Sequence, residues 1–372
     1  MGKISLLHVV FLVMTFIGLK NHVTILPPIL ETAKRDGWAS VILAAFIIFP
    51  LLFLIIYIQN KSNQQPMKQW LREKIGPTGS TILLYSIVIF LLISAAFTMR
   101  ETILWISATF LPQTPPIFLL TIYIILCFLL VSKNILTIVI VNGFVLFFVV
   151  IFGFFVAITN LQVKDYSYLL PLFENGFTPI AKSIFFPASG FIELFLLLFL
   201  HHYFKQKMKW YHLAIMLFIL MGLTLGPLMG AITLFGPEEA AKQRYPAFEE
   251  WGLVSIGAFI THMDFLSIYQ WLTGTFIRVG LLLFIAADIL NITEDSKKIW
   301  SYMMPPFFII NLILYLLDDN LFFKLNTHDF LIITFVYFLL LSLLIGAVAL
   351  ISNRQNKNKV RSPKNKTESS ES

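Results

Sequence analysis

Charged residues and cysteine are both scarce in this sequence. Asp, Glu, Lys and Arg make up 13% of the 372 residues, whereas a soluble domain has about a quarter. The one cysteine, Cys127, lies in an apolar run, so neither an intrachain disulfide nor a cysteine-based metal site can form. Walker, HExxH, GxSxG and CxxC motifs are missing. We therefore expect no enzyme activity and no bound cofactor or metal.

Apolar residues take the place of the missing charge. Hydrophobic residues account for 58% of the chain, and Phe occurs 38 times. The mean hydropathy is +0.83. A soluble core of this size cannot hide so much apolar surface, whereas lipid accepts it. Because one membrane-spanning helix needs about 20 apolar residues, the sequence predicts an all-α integral membrane protein with about ten transmembrane helices.

The apolar runs place the ten predicted helices, which are numbered 1 to 10 in chain order. They are Ile4–Leu26, Trp38–Ile58, Thr81–Thr109, Ile117–Val131, Ile135–Thr159, Ile184–Leu200, His212–Phe235, Ile256–Ile289, Trp300–Leu317 and Phe330–Ser352. Of the two longer connecting segments, Asn160–Ser183 and Gly236–Ser255, the second is predicted to contain a short interfacial helix. Residues 1–352 form the membrane domain. Residues 353–372, rich in Lys, Asn and Ser, are predicted to be a disordered basic tail.

The distribution of Lys and Arg sets the orientation in the membrane. With the N-terminus inside, the inner segments hold 17 of the 27 Lys and Arg residues, the outer segments hold 7, and three lie in spans. Cytoplasmic segments of membrane proteins carry this excess of positive charge. We therefore predict that both termini are cytoplasmic and that the number of spans is even. The net charge of +7 thus does not indicate nucleic-acid binding.

Charges within apolar runs are informative, because each costs at least ~2.5–3.5 kcal/mol on insertion scales. Glu193 is the most isolated, since no other charge lies between Lys182 and Lys205. Pro187 and Gly190 precede it; proline lacks a backbone donor and glycine tolerates unusual dihedrals. We expect predicted helix 6 to unwind between these two residues and resume at Glu193, as in transporters whose broken helices form a substrate site. The alternative is a structural carboxylate paired with a cation such as Lys20 or Arg100.

Predicted helix 1 carries a related pattern, with Gly18, Lys20 and His22 inside an apolar run. Gly18 is a candidate for a second helix break. Lys20 pairs with Glu193, meets a ligand carboxylate, or extends with His22 to the outer face of the membrane. The sequence leaves these alternatives open.

Predicted helices 3 and 8 contain further charges. Arg100 and Glu101 point about 100° apart and cannot simply pair with each other, so at least one faces the bundle unless both lie at the outer interface. Asp264 and Arg278 share a face of helix 8 but lie about 21 Å apart. We expect Arg278 to be an anchor in the inner half of the membrane, and His262 to be structural.

Together these residues resemble a known family, the B subunits of spore germinant receptors, within the amino acid–polyamine–organocation permease superfamily. The resemblance extends over residues 4–352. It is carried by the glycine and proline-containing exit of helix 1 with Arg35–Trp38, the Pro187, Gly190 and Glu193 spacing, Arg244–Pro246, and Asp264 with Trp271 and Arg278. His262 stands where relatives often carry a more basic residue, and Lys20 falls outside the pattern.

The resemblance implies a fold of two inverted five-helix repeats with broken helices 1 and 6. It also implies a subunit that senses a nutrient, usually an amino acid, in the spore inner membrane, with the A subunit and the lipoprotein C subunit as partners. An ion-coupled amino-acid permease is the alternative, because the fold is shared. We expect the nutrient to bind between helices 1, 3, 6 and 8. The candidate ligand-binding residues are Gly18, Lys20, Arg100, Glu101, Pro187, Gly190, Glu193 and Asp264.

The predicted topology can be tested by labelling of engineered cysteines. We expect Ser362→Cys, in the tail, to react with a membrane-impermeant thiol reagent only after the cells are opened. Glu174→Cys, in the predicted outer segment Asn160–Ser183, should react in intact cells and serves as the control. Labelling of the tail cysteine in intact cells would contradict the orientation.

Overall fold

The structure, a computed structural model, describes residues 3–256 and 263–361, with residues 353–361 described by their backbone alone. The N-terminal part contains α1 (Leu6–His22), α2 (Leu26–Ala33), α3 (Gly37–Ser62), α4 (Met67–Thr109), α5 (Pro116–Val131) and α6 (Ile135–Thr159). The segment 177–203 follows, with α7 (Phe177–Ser183), α8 (Phe185–Phe191) and α9 (Leu197–Leu200). The remaining helices are α10 (Trp210–Phe235), α11 (Pro237–Ala240), α12 (Pro246–Gly252), α13 (Leu266–Leu290), α14 (Ser296–Lys298), α15 (Met304–Tyr315), α16 (Asp319–Lys324) and α17 (Phe330–Arg361).

The described residues include seven helical segments that are long and apolar enough to cross a membrane. They are Leu26–Ser62, Met67–Thr109, Ile135–Val163, Phe177–Tyr203, Trp210–Phe235, Met263–Leu290 and Asp319–Ser352. The two shorter helices α1 and α5 are also apolar. The prediction of an all-α, multi-pass membrane protein is therefore confirmed.

The segment 177–203 lies at the centre of the bundle. In its most apolar stretch 89% of residues are buried, against 33% in the Ile135–Val163 segment. Peripheral helices such as α6 expose large apolar side chains, among them Phe144 and Phe154, as expected for a surface that faces lipid. The core of the protein is thus built around the segment in which the sequence places its most isolated charge.

Several predicted boundaries agree with the structure. Predicted helix 5 coincides with α6, and α11 and α12 confirm a short helical region within Gly236–Ser255. Predicted helix 8 is wrong at its start, because α13 begins only at Leu266, after a turn of 3-10 helix at Met263–Phe265. The apolar run there gives no sign of that turn. Residues 257–262, and with them His262, lie outside the described residues.

α4 consists of two helices joined at a kink. Gly76 has a φ of +77°, a conformation that suits glycine, and Pro77 has no N–H to continue the preceding helix. Residues 67–75 bury Trp70 and Leu71 and expose Arg72, so this part is amphipathic. This amphipathic part lies in the segment between predicted helices 2 and 3, for which no helix was predicted.

The break after α1 follows from two prolines. α1 ends at His22 and α2 begins at Leu26; because Pro27 and Pro28 have no N–H, the preceding carbonyls lack their helical donors. The prediction of a break at Gly18 is therefore wrong, since Gly18 lies within α1. A Cβ added there would lie 3.1 Å from Cδ1 of Leu223, so glycine allows α10 to approach α1 closely.

The predicted unwinding between Pro187 and Gly190 is also wrong, because both residues lie in α8. Pro187 removes one helical hydrogen bond, because it has no N–H for the carbonyl one turn before it. Ile184 nevertheless keeps helical backbone angles, with φ −55° and ψ −35°, so α7 continues into α8. A second irregularity follows α8, where Ile192–Leu196 tightens into a 3-10 helix that contains Glu193.

Gly190 has a packing role. A Cβ at this position would lie 1.9 Å from Oδ1 of Asn21 and 2.9 Å from Cδ1 of Ile25. A side chain of any size would thus force α8 away from the end of α1. Glycine at this position therefore sets the distance between α8 and the end of α1.

Gly190→Ala should therefore reduce the amount of folded protein, because overpacking of this kind typically costs about 1–3 kcal/mol. The readouts are immunoblots of membranes and thermal unfolding of the purified protein. Gly143→Ala is the matched control, since a Cβ on Gly143 of α6 would meet nothing within 4 Å. Equal abundance of the two variants would refute the packing role.

Candidate functional site

A carboxylate and two cations meet in the interior of the bundle. Nζ of Lys20 lies 2.9 Å from Oε1 of Glu193. Arg278 binds the same carboxylate in a bidentate manner, with Nη1 2.7 Å from Oε2 and Nη2 2.9 Å from Oε1. Each of the three side chains is at most 6% exposed. We call Lys20, Glu193 and Arg278 the buried triad.

Backbone and hydroxyl groups complete the coordination of the buried triad. Lys20 also donates to the carbonyl of Ser189 at 3.1 Å. Nε of Arg278 donates to Oγ1 of Thr98 at 3.2 Å, and its Nη1 donates to the carbonyl of Phe16. The triad therefore joins four elements, α1, α4, α13 and the segment 177–203. Loss of one member of such a buried pair typically costs about 3–5 kcal/mol.

The triad shows which of the predicted charge pairs form. The pairing of Lys20 with Glu193 is confirmed. The prediction that Arg278 is an inner-half anchor is wrong, because its guanidinium is buried against Glu193. Arg278 stands alone in an apolar run, with Asp288 as the next charge along the chain. This isolation is the feature of the sequence from which its burial could have been predicted. Spacing within helix 8 does not reveal which other helices lie beside it.

Glu101 lies next to the triad. Its Oε2 accepts a hydrogen bond from Oγ1 of Thr24 at 2.7 Å. Lys20, Glu101 and Arg278 line one small cavity of about 10 Å³. A second acidic group thus faces the two cations, and the region is polar although it lies within the apolar bundle.

Arg100 and Asp264 lie apart from the triad. Nη2 of Arg100 is 2.5 Å from Oδ1 of Asp319 in α16, and its guanidinium stacks over Tyr315 and Phe322. It is therefore not a partner of Glu193. Asp264, in the turn before α13, is partly buried and forms no ion pair with a described residue.

A much larger cavity, of about 530 Å³, lies on the other side of α1. We call it the α1 cavity. Its walls come from α1, α6, α10, α12 and α13 and are mainly apolar, with aromatic rings from Tyr245, Phe248, Trp251 and Trp271. Ligand-binding pockets commonly measure about 300–1,000 Å³, so this cavity can hold a small molecule. Of the eight candidate ligand-binding residues, Gly18 lines it.

α1 separates the cavity from the triad. Thr15, Gly18, Leu19 and His22 line the cavity, a spacing of three and four residues that defines one face of a helix. Lys20 points to the opposite side, into the triad. One helix therefore carries the wall of the cavity on one face and a member of the ion network on the other.

A ring stack and a hydrogen bond hold Trp271 in the wall of the cavity on the side of α13. The rings of Trp105 and Trp271 stack with centroids 4.1 Å apart. Nε1 of Trp271 donates to Oγ1 of Thr102 at 3.1 Å, which satisfies the indole in the interior. This wall is therefore preformed.

Glu250 of α12 brings a carboxyl group into the cavity wall. The residue is 5% exposed, and Oε1 has no hydrogen-bond partner among the described residues. Burial raises the pKa of Glu250 to about 8, although Lys164 acts in the opposite direction. Glu250 does not stand out in the sequence, because it lies among several other charges in the segment Gly236–Ser255.

No cluster of three His, Cys, Asp or Glu side chains within residues 3–256 and 263–361 is placed to hold a metal ion. The α1 cavity offers apolar walls beside one carboxyl group, and α1 carries Lys20 of the buried triad on its opposite face. A direct ligand role for Lys20, Glu101, Glu193 and the other candidates stays a prediction.

Glu193→Gln should lower the abundance of the protein strongly, because it leaves two buried cations without a counter-charge, at about 3–5 kcal/mol. Adding Arg278→Met to this variant should restore part of the abundance, which is measured by immunoblot of membranes. Adding Arg100→Met should restore none, because Arg100 pairs with Asp319. Wild-type abundance of Glu193→Gln would show that the triad does not stabilise the fold.

Comparison with known proteins shows to which family the chain belongs. The family model described as "Spore germination protein" matches residues 3–322. The chain is 36% identical to Spore germination protein XB of Bacillus anthracis over 92% of this chain and 96% of the relative. It is 23% identical to Spore germination protein A2 of Bacillus subtilis (strain 168), over 71% of this chain and 73% of the relative. The chain is thus a permease-like membrane protein that belongs to the spore germination protein family.

Proposed function

We propose that this protein is the nutrient-sensing membrane subunit of a spore germinant receptor, and that the nutrient occupies the α1 cavity. The observation that carries the proposal is the position of α1 between the cavity and the buried triad. A ligand can shift a conformational equilibrium only by binding one state better than another. A nutrient that fills the cavity favours one position of α1, and Lys20 transmits that preference to Glu193 and Arg278.

The fold we propose has ten spans in two inverted five-helix repeats. Besides the seven long segments, α1, α5 and the stretch from α14 through α15 would supply the other three. The first element of each proposed repeat is irregular: α1 ends at His22, before α2, and the segment 177–203 tightens into a 3-10 helix at Ile192–Leu196. Both irregular elements also contribute to the triad. Broken helices at the centre of such repeats are typical of transporter-like folds.

The setting we propose is the spore inner membrane, with both termini in the cytoplasm and with the A and C subunits of the receptor as partners. The charge distribution supports this orientation. In this proposed orientation, the cavity, which α12 borders, would lie in the outer half of the membrane, where a nutrient arrives. An ion-coupled amino-acid permease would share the fold; net saturable uptake into proteoliposomes would identify it.

Gly222→Leu tests the nutrient site. Gly222 lines the cavity, and a Cβ there would meet nothing within 4 Å, so leucine should enter the cavity without disturbing packing. We expect normal abundance and a nutrient concentration for half-maximal germination that rises by about tenfold or more, the equivalent of about 1.4 kcal/mol. Germination is followed by the loss of optical density of spores.

Gly143→Leu is the matched control, because its surroundings are equally open but it lies outside the cavity. It should germinate like the wild type. An unchanged dose–response of Gly222→Leu would exclude the α1 cavity as the nutrient site.

A further inference from the structure

The α1 cavity opens sideways, on the surface of the helix bundle. Its lining includes Phe154 and Ala157 of α6 and Gly222 and Gly226 of α10, and all four residues are exposed. Both helices belong to segments that are long and apolar enough to cross a membrane. A molecule within the bilayer can therefore enter the cavity between α6 and α10.

The charged groups of the cavity lie at one end of it, outside the membrane-spanning segments. Lys164 is the first residue after the span that contains α6, and Glu250 lies in the connection between the spans of α10 and α13. The N–H of Asp165 donates to the carbonyl of Thr233 near the end of α10 at 2.8 Å, so these segments meet at the same end of the bundle. The cavity extends from there to Ile219, which lies about 24 Å from the end of α10 along the helix axis. It is thus a groove with a charged end and a deep apolar part.

The carboxyl group of Glu250 is held in place but is not satisfied. Gly230 of α10 leaves room for it, because a Cβ there would lie 2.6 Å from Oε2 and 2.7 Å from Oε1. Nδ2 of Asn160 donates to the backbone carbonyl of Glu250 at 2.8 Å. Oε1 is buried without a hydrogen-bond partner in the described part of the chain, and no described cation lies within ion-pair distance of it. Because buried polar atoms normally have a partner, we expect a ligand with a hydrogen-bond donor at this end of the groove.

The surroundings of Glu250 indicate an amphiphile that carries an amine. Rings of Tyr245 and Trp251 line the cavity beside it, and aromatic faces attract cations. Lys164 lines the same cavity and forms no ion pair with Glu250, so it can meet an anionic group of the ligand. An ammonium group, a phosphate and an acyl chain follow one another in this order in an amine-containing phospholipid.

We propose that the α1 cavity binds a phospholipid with an amine headgroup, one acyl chain of which enters between α6 and α10. Glu250 holds the ammonium group and Lys164 the phosphate. Charge-assisted hydrogen bonds are about twice as strong as neutral ones, so a headgroup without an N–H donor should bind more weakly. A membrane-spanning helix of another chain fits the groove less well, because its backbone donors are bonded within the helix and Oε1 would stay unsatisfied.

This inference goes beyond the proposed function and does not rest on it, because the lipid is measured on protein that has met no nutrient. A nutrient that enters the same cavity would have to displace the acyl chain.

Native mass spectrometry of the full-length protein tests the proposal. The purified protein is exchanged into detergent that contains equal amounts of phosphatidylethanolamine, phosphatidylcholine and phosphatidylglycerol with the same acyl chains. We expect one molecule of phosphatidylethanolamine to stay bound. Phosphatidylcholine, whose quaternary nitrogen has no N–H, and phosphatidylglycerol, which has no cation, should each bind at least about tenfold more weakly.

Two variants test the apolar part of the groove. Gly222→Leu fills the cavity and should abolish retention of phosphatidylethanolamine. Gly143→Leu is the matched control, because its surroundings are equally open but it lies outside the cavity. It should retain the lipid like the wild type.

Further variants assign the headgroup contacts. Glu250→Gln should lower retention of phosphatidylethanolamine by about tenfold, to the level of phosphatidylcholine. Glu249→Gln, which is exposed and lies outside the cavity lining, is the matched control. Gly230→Ala, which displaces the carboxyl group, should act like Glu250→Gln and provides a second route should that variant fold poorly. Lys164→Gln should weaken binding of phosphatidylethanolamine but not of hexadecylamine, which has no phosphate.

Four results would overturn the proposal: no retained phospholipid, equal retention of the three headgroups, equal retention by Gly222→Leu and Gly143→Leu, or equal retention by Glu250→Gln and Glu249→Gln. Equal headgroups would show lipid bound only by its apolar part. A polypeptide retained in place of lipid would show that a helix of a partner fills the groove. None of these results bears on the proposed function, which the nutrient dose–response of spores tests separately.

Discussion

The pairing of one buried carboxylate with two cations constrains the arrangement of the central helices. Glu193 receives Lys20 from α1 and Arg278 from α13, and separation of any of them would leave a charge unpaired in an apolar interior. Because desolvated charges tolerate little change in geometry, the positions of these elements depend on one another. A displacement of α1 must therefore be accompanied by a change in the segment 177–203 or in α13, or the ion network must break.

Irregular backbone in two segments brings the members of this ion network together. The tandem prolines after α1 end that helix two residues past Lys20, and the 3-10 turn places Glu193 opposite it. Gly190 lets these two segments touch through Asn21. Local backbone chemistry and the ion network thus support the same arrangement, which is what a uniquely folded polar interior requires.

The α1 cavity and the triad lie on opposite faces of one helix, and the proposed function assigns binding to the first and response to the second. The cavity supplies apolar walls, aromatic rings and the carboxyl group of Glu250, and none of these belongs to the triad. In the function that we propose, a ligand would bind without breaking the triad, and its influence would pass through the packing of α1.

The sequence by itself determined the membrane class, the position of most helices and the isolation of Glu193 in an apolar run. Apolar runs and isolated charges are local features, and their energetic effect in lipid does not depend on how the helices pack. The sequence placed the break of helix 1 at Gly18 and that of helix 6 between Pro187 and Gly190, and both positions were wrong, because these residues lie within α1 and α8. Only the tertiary structure decided that Arg278 is the second partner of Glu193, that Gly190 packs on Asn21, and that Glu250 enters the wall of a cavity. These facts depend on which helix faces lie together across long stretches of chain. Spacing along one apolar helix does not specify its neighbours, since every face of such a helix is compatible with lipid or with another helix.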